Sequence, residues 1–195
     1  MDKLSYALGM SMASSLLQSG FTNIDAESFT QAFKDIMNNA DTLVTEQEAD
    51  RLIRSYFAER QQEMLSKNLQ EGREFLAENA KHDGVVTLPS GLQYEILKES
   101  DGPKPSLTDK VKCHYHGTLI DGTVFDSSVR RGQPAVFGVN QVIKGWVEAL
   151  QLMSVGSKWR LFIPSELAYG EQGAGKDIQP NSTLIFDVEL LGIEG

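Results

Sequence analysis

The sequence predicts an α+β protein: an all-helical N-terminal module running into a long connecting helix, then an antiparallel β-sheet wrapped around one short helix. Three observations predict it. Apolar residues recur every three to four positions through residues 1–83. From Leu92 onward they alternate with polar ones, with Asp121-Gly122 reading as a hairpin turn between two apolar runs. In that second region only residues 143–150 have helical spacing, so one short helix covered by a sheet is the simplest layered solution.

Leu4, Leu8, Met12 and Leu16 fall at a spacing of four, and Tyr6, Met10, Ala13 and Leu17 form a second stripe. The spacing predicts a helix with two apolar faces, closed by Gly20. Asp25 stands where it can cap a second helix, in which Phe29, Ala32, Phe33, Ile36 and Met37 form one apolar face. The Asn-Asn-Ala-Asp run ending at Asp41 terminates it. Thr45 and Glu48 then form a capping-box pattern, and only Gly72 interrupts the helical reading from there to Lys81. That span is about 37 residues, or roughly 55 Å. Its front, with Ala49, Leu52, Ile53, Tyr56 and Phe57, carries a broad apolar stripe. Residues 59–63 are wholly polar, and Met64, Leu65, Leu69, Phe75 and Leu76 follow sparsely, so the front is expected to be packed and the middle solvated. Lys81 and His82, with Gly84 just beyond, read as a helix stop.

The expected organisation is a helical dimerisation module over residues 1–44, a long helix over 45–83 whose remainder serves as a connecting arm, and a second domain over 84–195. Roughly 57 residues cannot bury two-faced helices well within one subunit. The prediction is therefore a homodimer through the N-terminal helices; a helical cap folded back on the second domain is the alternative.

In the second domain Leu92, Tyr94 and Ile96 alternate, as do Leu184, Phe186, Val188 and Leu190. Val111, Cys113, Tyr115 and Gly117 alternate against Lys112, His114, His116 and Thr118, so one sheet face is expected to be buried and the other wet. His114 and His116 point the same way, the beginning of a metal site, but His82 is the only other histidine and the reading is a solvated face. Cys113 reads as a small core residue and Trp159 as a packing or surface residue. Gly170 through Lys176 match the start of a phosphate-binding loop. Asp177 then replaces the hydroxyl residue and no helix follows, so a flexible surface loop is expected.

With 41% hydrophobic and 23% charged residues, the composition suits a soluble protein of one large or two small domains. The net charge of −9 divides as −6 over residues 1–83 (8 basic, 14 acidic) and −3 over the rest (10 basic, 13 acidic). Without a basic face, nucleic acid is not an expected partner. One cysteine excludes an intrachain disulfide. No apolar run approaches a membrane span, and the first residues do not read as a signal peptide. The cytoplasm is the expected location, the periplasm the alternative if a leader preceded this chain, and no membrane association is expected.

Aromatic and branched residues gather at turns and strand ends in the run Tyr115-His-Gly-Thr-Leu-Ile-Asp-Gly-Thr-Val-Phe-Asp-Ser-Ser and in Gln141-Val-Ile-Lys-Gly-Trp146. They come with one carboxylate, Asp126, and no nucleophile paired with a base. Such a site works by desolvating and shaping a neutral ligand. Together with Met153-Ser-Val-Gly-Ser, Ser165-Glu-Leu-Ala-Tyr-Gly170 and Asn181-Ser-Thr-Leu-Ile-Phe-Asp-Val-Glu-Leu-Leu191, these motifs resemble the FKBP family of peptidyl-prolyl cis/trans isomerases. The helical first part resembles the N-terminal half of its dimeric bacterial Mip-like members.

The resemblance implies an FKBP-like fold for residues 84–195 and an isomerase that assists protein folding. Trp146 would form the pocket floor, Tyr115, Phe125, Phe137, Val142, Ile143 and Phe186 would bind substrate around it, and Asp126 and Tyr169 would be the catalytic polar tips. No cofactor or metal is implied. Partners would be a second copy of the chain, unfolded or proline-containing polypeptides and macrolide inhibitors. Three positions depart from the small eukaryotic members: Ala135 for phenylalanine, Gln141 for glutamate and Ala174 for histidine, so a more open rim is expected. A dimeric folding chaperone or proline-peptide-binding adaptor with incidental isomerase activity is the alternative. A metal-handling protein using His114 and His116 is a third reading.

Overall fold

The computed structural model describes residues 1–194, which divide into two compact units, one over Met1–Tyr56 and one from Phe57 onward. The first unit contains α1 (Lys3–Gln18), α2 (Ala26–Met37) and the beginning of α3 (Glu46–Asn79). Each start is capped by a side chain. Asp2 accepts from the Ser5 N–H at 2.7 Å, Asp25 from that of Ser28 at 2.9 Å, and Thr45 from that of Glu48 at 3.2 Å. Phe21 stacks on Tyr56 at 5.1 Å between ring centroids, yet neither α1 nor α2 buries a residue completely. Among the described residues no helix is long and apolar enough to cross a membrane.

The second unit holds β1 (Val85–Thr87), β2 (Gln93–Lys98), β3 (Lys110–Leu119), β4 (Val124–Ser127), the helical turn α4 (Ser128–Arg131), β5 (Ala135–Gly138), α5 (Lys144–Leu152), β6 (Lys158–Ile163) and β7 (Leu184–Glu194). All strand pairs are antiparallel, in the order β1-β2-β6-β7-β3-β4, with β5 also on β3. The long β3–β7 pair sets the register of the sheet, with Tyr115 opposite Val188 and Gly117 opposite Phe186. Period-two alternation is realised in both strands. Val111, Cys113, Tyr115, Leu184, Phe186, Val188 and Leu190 are buried and pack on Trp146, Ala149 and Leu150 of α5. Asp121 and Gly122 form the β3–β4 hairpin, in which the Leu119 and Thr123 backbones pair and the Asp121 carboxylate accepts from the Thr123 N–H.

The outer face of the sheet is drier than its alternation suggests. From Leu65 onward α3 turns Leu65, Asn68, Leu69, Gly72, Phe75, Leu76 and Asn79 inward, a three-to-four-residue stripe in which three members are not apolar. Phe75 meets Phe162 at 6.0 Å, which is why Phe162 is buried on the face opposite Leu161 and Ile163. Gln93, also on that face, donates to the Leu76 carbonyl at 2.9 Å and accepts from Asn79 at 2.8 Å. Gly72 sits so close to Thr183 that a β-carbon would stand 2.3 Å from its hydroxyl oxygen.

His114 and His116, expected on a solvated face, are half-buried. Each ring Nδ1 pairs with a serine hydroxyl, Ser128 at 3.1 Å and Ser127 at 3.0 Å, because β4 lies beside β3 at that point. Ile96, expected inward, is exposed next to a register shift near the end of β2, whereas Trp159 is buried and stacks on Tyr94 at 4.2 Å. Cys113 is buried in the core, and burial pushes its thiol up to about 12. The glycine-rich loop lies at the surface, as expected, and carries backbone pairings of its own. Ala174 pairs with Ile178, and the Asn181 N–H donates to the Gly170 carbonyl at 2.8 Å.

Candidate active site

A pocket of about 410 Å3 opens on the α5 side of the sheet, lined by Tyr115, Phe125, Asp126, Phe137, Gln141, Val142, Ile143, Trp146, Tyr169 and Phe186. All nine residues singled out from the sequence are therefore brought to one cavity by six parts of the chain. Tyr115 comes from β3, Phe125 and Asp126 from β4, Phe137 from β5, Val142, Ile143 and Trp146 from the start of α5, Phe186 from β7, and Tyr169 from the loop after β6. Gln141 joins them at the rim. Ala135 and Ala174 pack against the core instead of lining the cavity.

Trp146 is the floor because α5 starts directly beneath the sheet and Trp146 is its third residue. Only 4% of it is exposed. Three rings stand edge-on to the indole: Tyr115 at 5.6 Å and 83°, Phe137 at 5.7 Å and 82°, and Phe186 at 5.2 Å and 83°. Phe125 in turn meets Phe186 at 5.3 Å and 83°. Edge-to-face contacts of this kind fix ring planes as well as adding stability, so the cavity keeps its shape without a ligand. It is apolar at the base, and its size suits one peptide residue with its flanking amides.

The polar edge is a three-residue cluster. Tyr115 donates its hydroxyl to Asp126 Oδ2 at 2.5 Å, Arg131 Nη1 donates to Asp126 Oδ1, and Arg131 Nη2 donates to the Tyr115 oxygen at 2.8 Å. The guanidinium also lies 5.6 Å from the centre of the Tyr115 ring. Local sequence explains the closure. Ser127 caps α4 by accepting from the Arg130 N–H at 3.2 Å, and one helical turn then returns Arg131 to the carboxylate five residues earlier.

Burial opposes charge on Asp126, but hydrogen bonds from Tyr115 and Arg131, with the guanidinium's positive charge, outweigh it and hold the carboxyl below its usual range. Burial, then the bond to Asp126, pushes the Tyr115 phenol up. Asp126 is accordingly an anion at neutral pH and Tyr115 a neutral donor. Arg131 was not among the residues selected from the sequence, and its signal there was weak: a second arginine beside Arg130 in a polar turn.

Two donors remain open at the rim. The Ile143 N–H precedes the first turn of α5 and has no acceptor among the described residues, and the Tyr169 hydroxyl likewise has no described partner. No paired nucleophile and base lines the cavity. The arrangement can enclose an apolar ring, hold flanking carbonyls by hydrogen bonds and present one fixed negative charge.

Comparison with known proteins agrees over the whole chain. The family described as FKBP-type peptidyl-prolyl cis-trans isomerase matches residues 102–191, and the domain amino terminal to FKBP-type peptidyl-prolyl isomerase matches residues 1–96. The chain is 47% identical over 193 residues to the FKBP-type 22 kDa peptidyl-prolyl cis-trans isomerase of Escherichia coli, covering 97% of this chain and 93% of that protein. It is 42% identical to the outer membrane protein MIP of Legionella longbeachae, covering 99% and 85%. The crystal structure of FkpA from Escherichia coli superimposes with a TM-score of 0.81 at 34% identity, covering 98% of this chain and 95% of that one.

Proposed function

This chain belongs to the family of FKBP-type peptidyl-prolyl cis-trans isomerases, and we propose that it accelerates rotation about X-Pro bonds in the pocket floored by Trp146. Rotation faces a barrier near 20 kcal/mol because the amide must lose conjugation. A thousandfold acceleration requires only about 4 kcal/mol of that. Non-covalent effects can supply it. In water the carbonyl is hydrogen-bonded, which favours the planar, conjugated amide, and the twisted transition state is less dipolar along that bond. Transfer to the apolar cavity removes that solvation and favours the twisted form.

The prolyl ring rests on Trp146 between Phe137, Tyr115 and Phe186. The Ile143 N–H and the Tyr169 hydroxyl hold flanking carbonyls, and Asp126, kept ionised and oriented by Tyr115 and Arg131, acts electrostatically on the twisted group. The carrying observation is the convergence of one ionised carboxylate and two open donors on an apolar floor held by three edge-on rings.

The functional unit is a homodimer through the N-terminal helices. Leu8, Met10, Phe33 and Ile36 each keep half or more of their surface exposed within a single chain, and a second copy is the partner that covers them. Two catalytic domains in one dimer would raise the effective concentration of sites for an unfolded, proline-containing client. Macrolide inhibitors would compete for the same cavity, with Gln141 at its rim. The cytoplasmic location expected from the sequence finds no support among the relatives, one of which is named an outer membrane protein; a compartment outside the cytoplasm is the reading to test by fractionation.

The primary test is cis-to-trans relaxation of a short peptide with an apolar residue before proline, with wild type and with Asp126→Leu. Loss of most acceleration in the variant, with its fold intact, is expected. Unchanged turnover would remove Asp126 from the mechanism.

A further inference from the structure

The loop that carries Tyr169 is held at both ends by the back half of α3. On its leading side Glu166 lies 4.0 Å from Arg73, and on its trailing side Thr183 packs on Gly72. Between these, Asn68 Nδ2 donates to the Pro180 carbonyl at 2.7 Å, and Asn181 Nδ2 donates to the Leu65 carbonyl at 3.1 Å. The Asn181 backbone N–H donates to the carbonyl of Gly170, the residue directly after Tyr169, at 2.8 Å. Asn181 is 7% exposed and has φ 58°, a left-handed conformation that asparagine tolerates better than most residues. A chain of contacts thus runs from Leu65 through Asn181 and Gly170 to Tyr169, entirely within the second unit.

We infer that Asn181 and Asn68 are positioning residues that tie the Tyr169 loop to α3, so that the long helix sets the place of the tyrosine hydroxyl and the pocket's grip on a substrate carbonyl. This rests on the reading that Tyr169 touches substrate. The pairing explains why the inward stripe of α3 has asparagine at position 68. An apolar residue there would leave the Pro180 carbonyl without this donor.

The test uses the full-length chain. Asn181→Gly keeps the left-handed backbone and its N–H but removes the side-chain donor, and Asn68→Ala removes the second donor without touching the loop. Each is expected to lower kcat/KM about two- to tenfold, the range a single hydrogen bond spans, chiefly through KM. In a Tyr169→Phe background the same changes should cost almost nothing further, because the route they act through is already lost. A general loss of structure would instead multiply across both backgrounds and lower the unfolding midpoint in proportion. Wild-type kcat/KM in both asparagine variants beside an impaired Tyr169→Phe would overturn the inference alone. An inert Tyr169→Phe would withdraw the tyrosine from the site and overturn the inference with it.

Discussion

Gly117 lies directly under the ring of Phe125: a β-carbon built on it would stand 2.7 Å from two of the ring's carbons, and 2.8 Å from Phe186. Two pocket walls therefore rest against a bare backbone. Gly117→Ala must tilt one or both rings and narrow the cavity from below. Such overpacking costs about 1–3 kcal/mol of stability, and kcat/KM should fall by about tenfold or more, since 1.4 kcal/mol of lost transition-state binding is already a factor of ten. Urea unfolding and the peptide relaxation assay measure the two effects separately.

Asp126 gives a pH dependence with a definite sign. Its carboxyl is held below the ordinary value of 3.8, so it is ionised throughout the neutral and mildly acidic range. A depressed folded-state pKa means that the ionised cluster favours folding above the unfolded value, and that this contribution is lost as pH falls through the folded one. Activity limited by Asp126 should be flat from neutrality to about pH 5 and decline only in stronger acid. Arg131→Ala removes one donor to the carboxylate and the positive charge beside it, so the decline should begin at higher pH. A pH profile of kcat/KM for both chains, at temperatures where both stay folded, checks the direction.

The chain has two tryptophans, and only Trp146 lines the pocket. Trp159 stacks on Tyr94 outside it. Trp159→Phe preserves an aromatic stack and leaves Trp146 as the sole indole. Titration with a proline-containing peptide should then change the emission saturably, with the same midpoint as inhibition of the relaxation assay by that peptide. An unchanged spectrum at saturating peptide would place the prolyl ring elsewhere.

The sheet and its pocket were legible in the sequence because alternation and position carry them. Tyr115 and Gly117 on β3 and Phe186 on β7 lie on the inward side of strands whose pattern is regular, and β-pairing brings them together. The role of the back half of α3 was not legible. Its inward stripe includes Asn68, Gly72 and Asn79, so hydrophobic periodicity is weak where the packing is closest. Those residues are inward because of their partners, Pro180, Thr183 and Gln93, and no local pattern announces a hydrogen bond spanning 112 residues. Arg131 was hidden for a similar reason. Its partnership depends on a one-turn helix whose cap, Ser127, looks like any turn serine.

Gly72→Ala should separate packing from helix propensity. Alanine in an α-helix is favoured over glycine by about 1 kcal/mol, so an exposed site would be stabilised. Here the new β-carbon would meet the Thr183 hydroxyl oxygen at 2.3 Å and push α3 off the sheet. The expected result is net destabilisation of about 1–2 kcal/mol. In a Thr183→Ala background, which removes the obstructing oxygen, the same change should become neutral or stabilising. A double-mutant cycle by chemical denaturation measures this coupling.

The apolar face of the N-terminal unit gives a prediction that divides assembly from chemistry. Phe33 is 50% exposed and Ile36 66% exposed on α2, while the pocket is built wholly from residues 115–186. Phe33→Glu with Ile36→Glu places two like charges, one helical turn apart, on the surface proposed to meet a second copy. Burying them against a partner would leave both charges unpaired, a cost of several kcal/mol set against the association. Sedimentation should therefore show a monomer. Because a short peptide occupies one pocket at a time, its kcat/KM per site should stay within about twofold of wild type, well under the tenfold that 1.4 kcal/mol represents. A client that engages two sites loses the effective-concentration advantage, so refolding of a proline-limited protein should slow more than the peptide reaction does. Equal losses on both substrates would mean that the N-terminal unit contributes to the chemistry of each pocket instead of to the pairing of two.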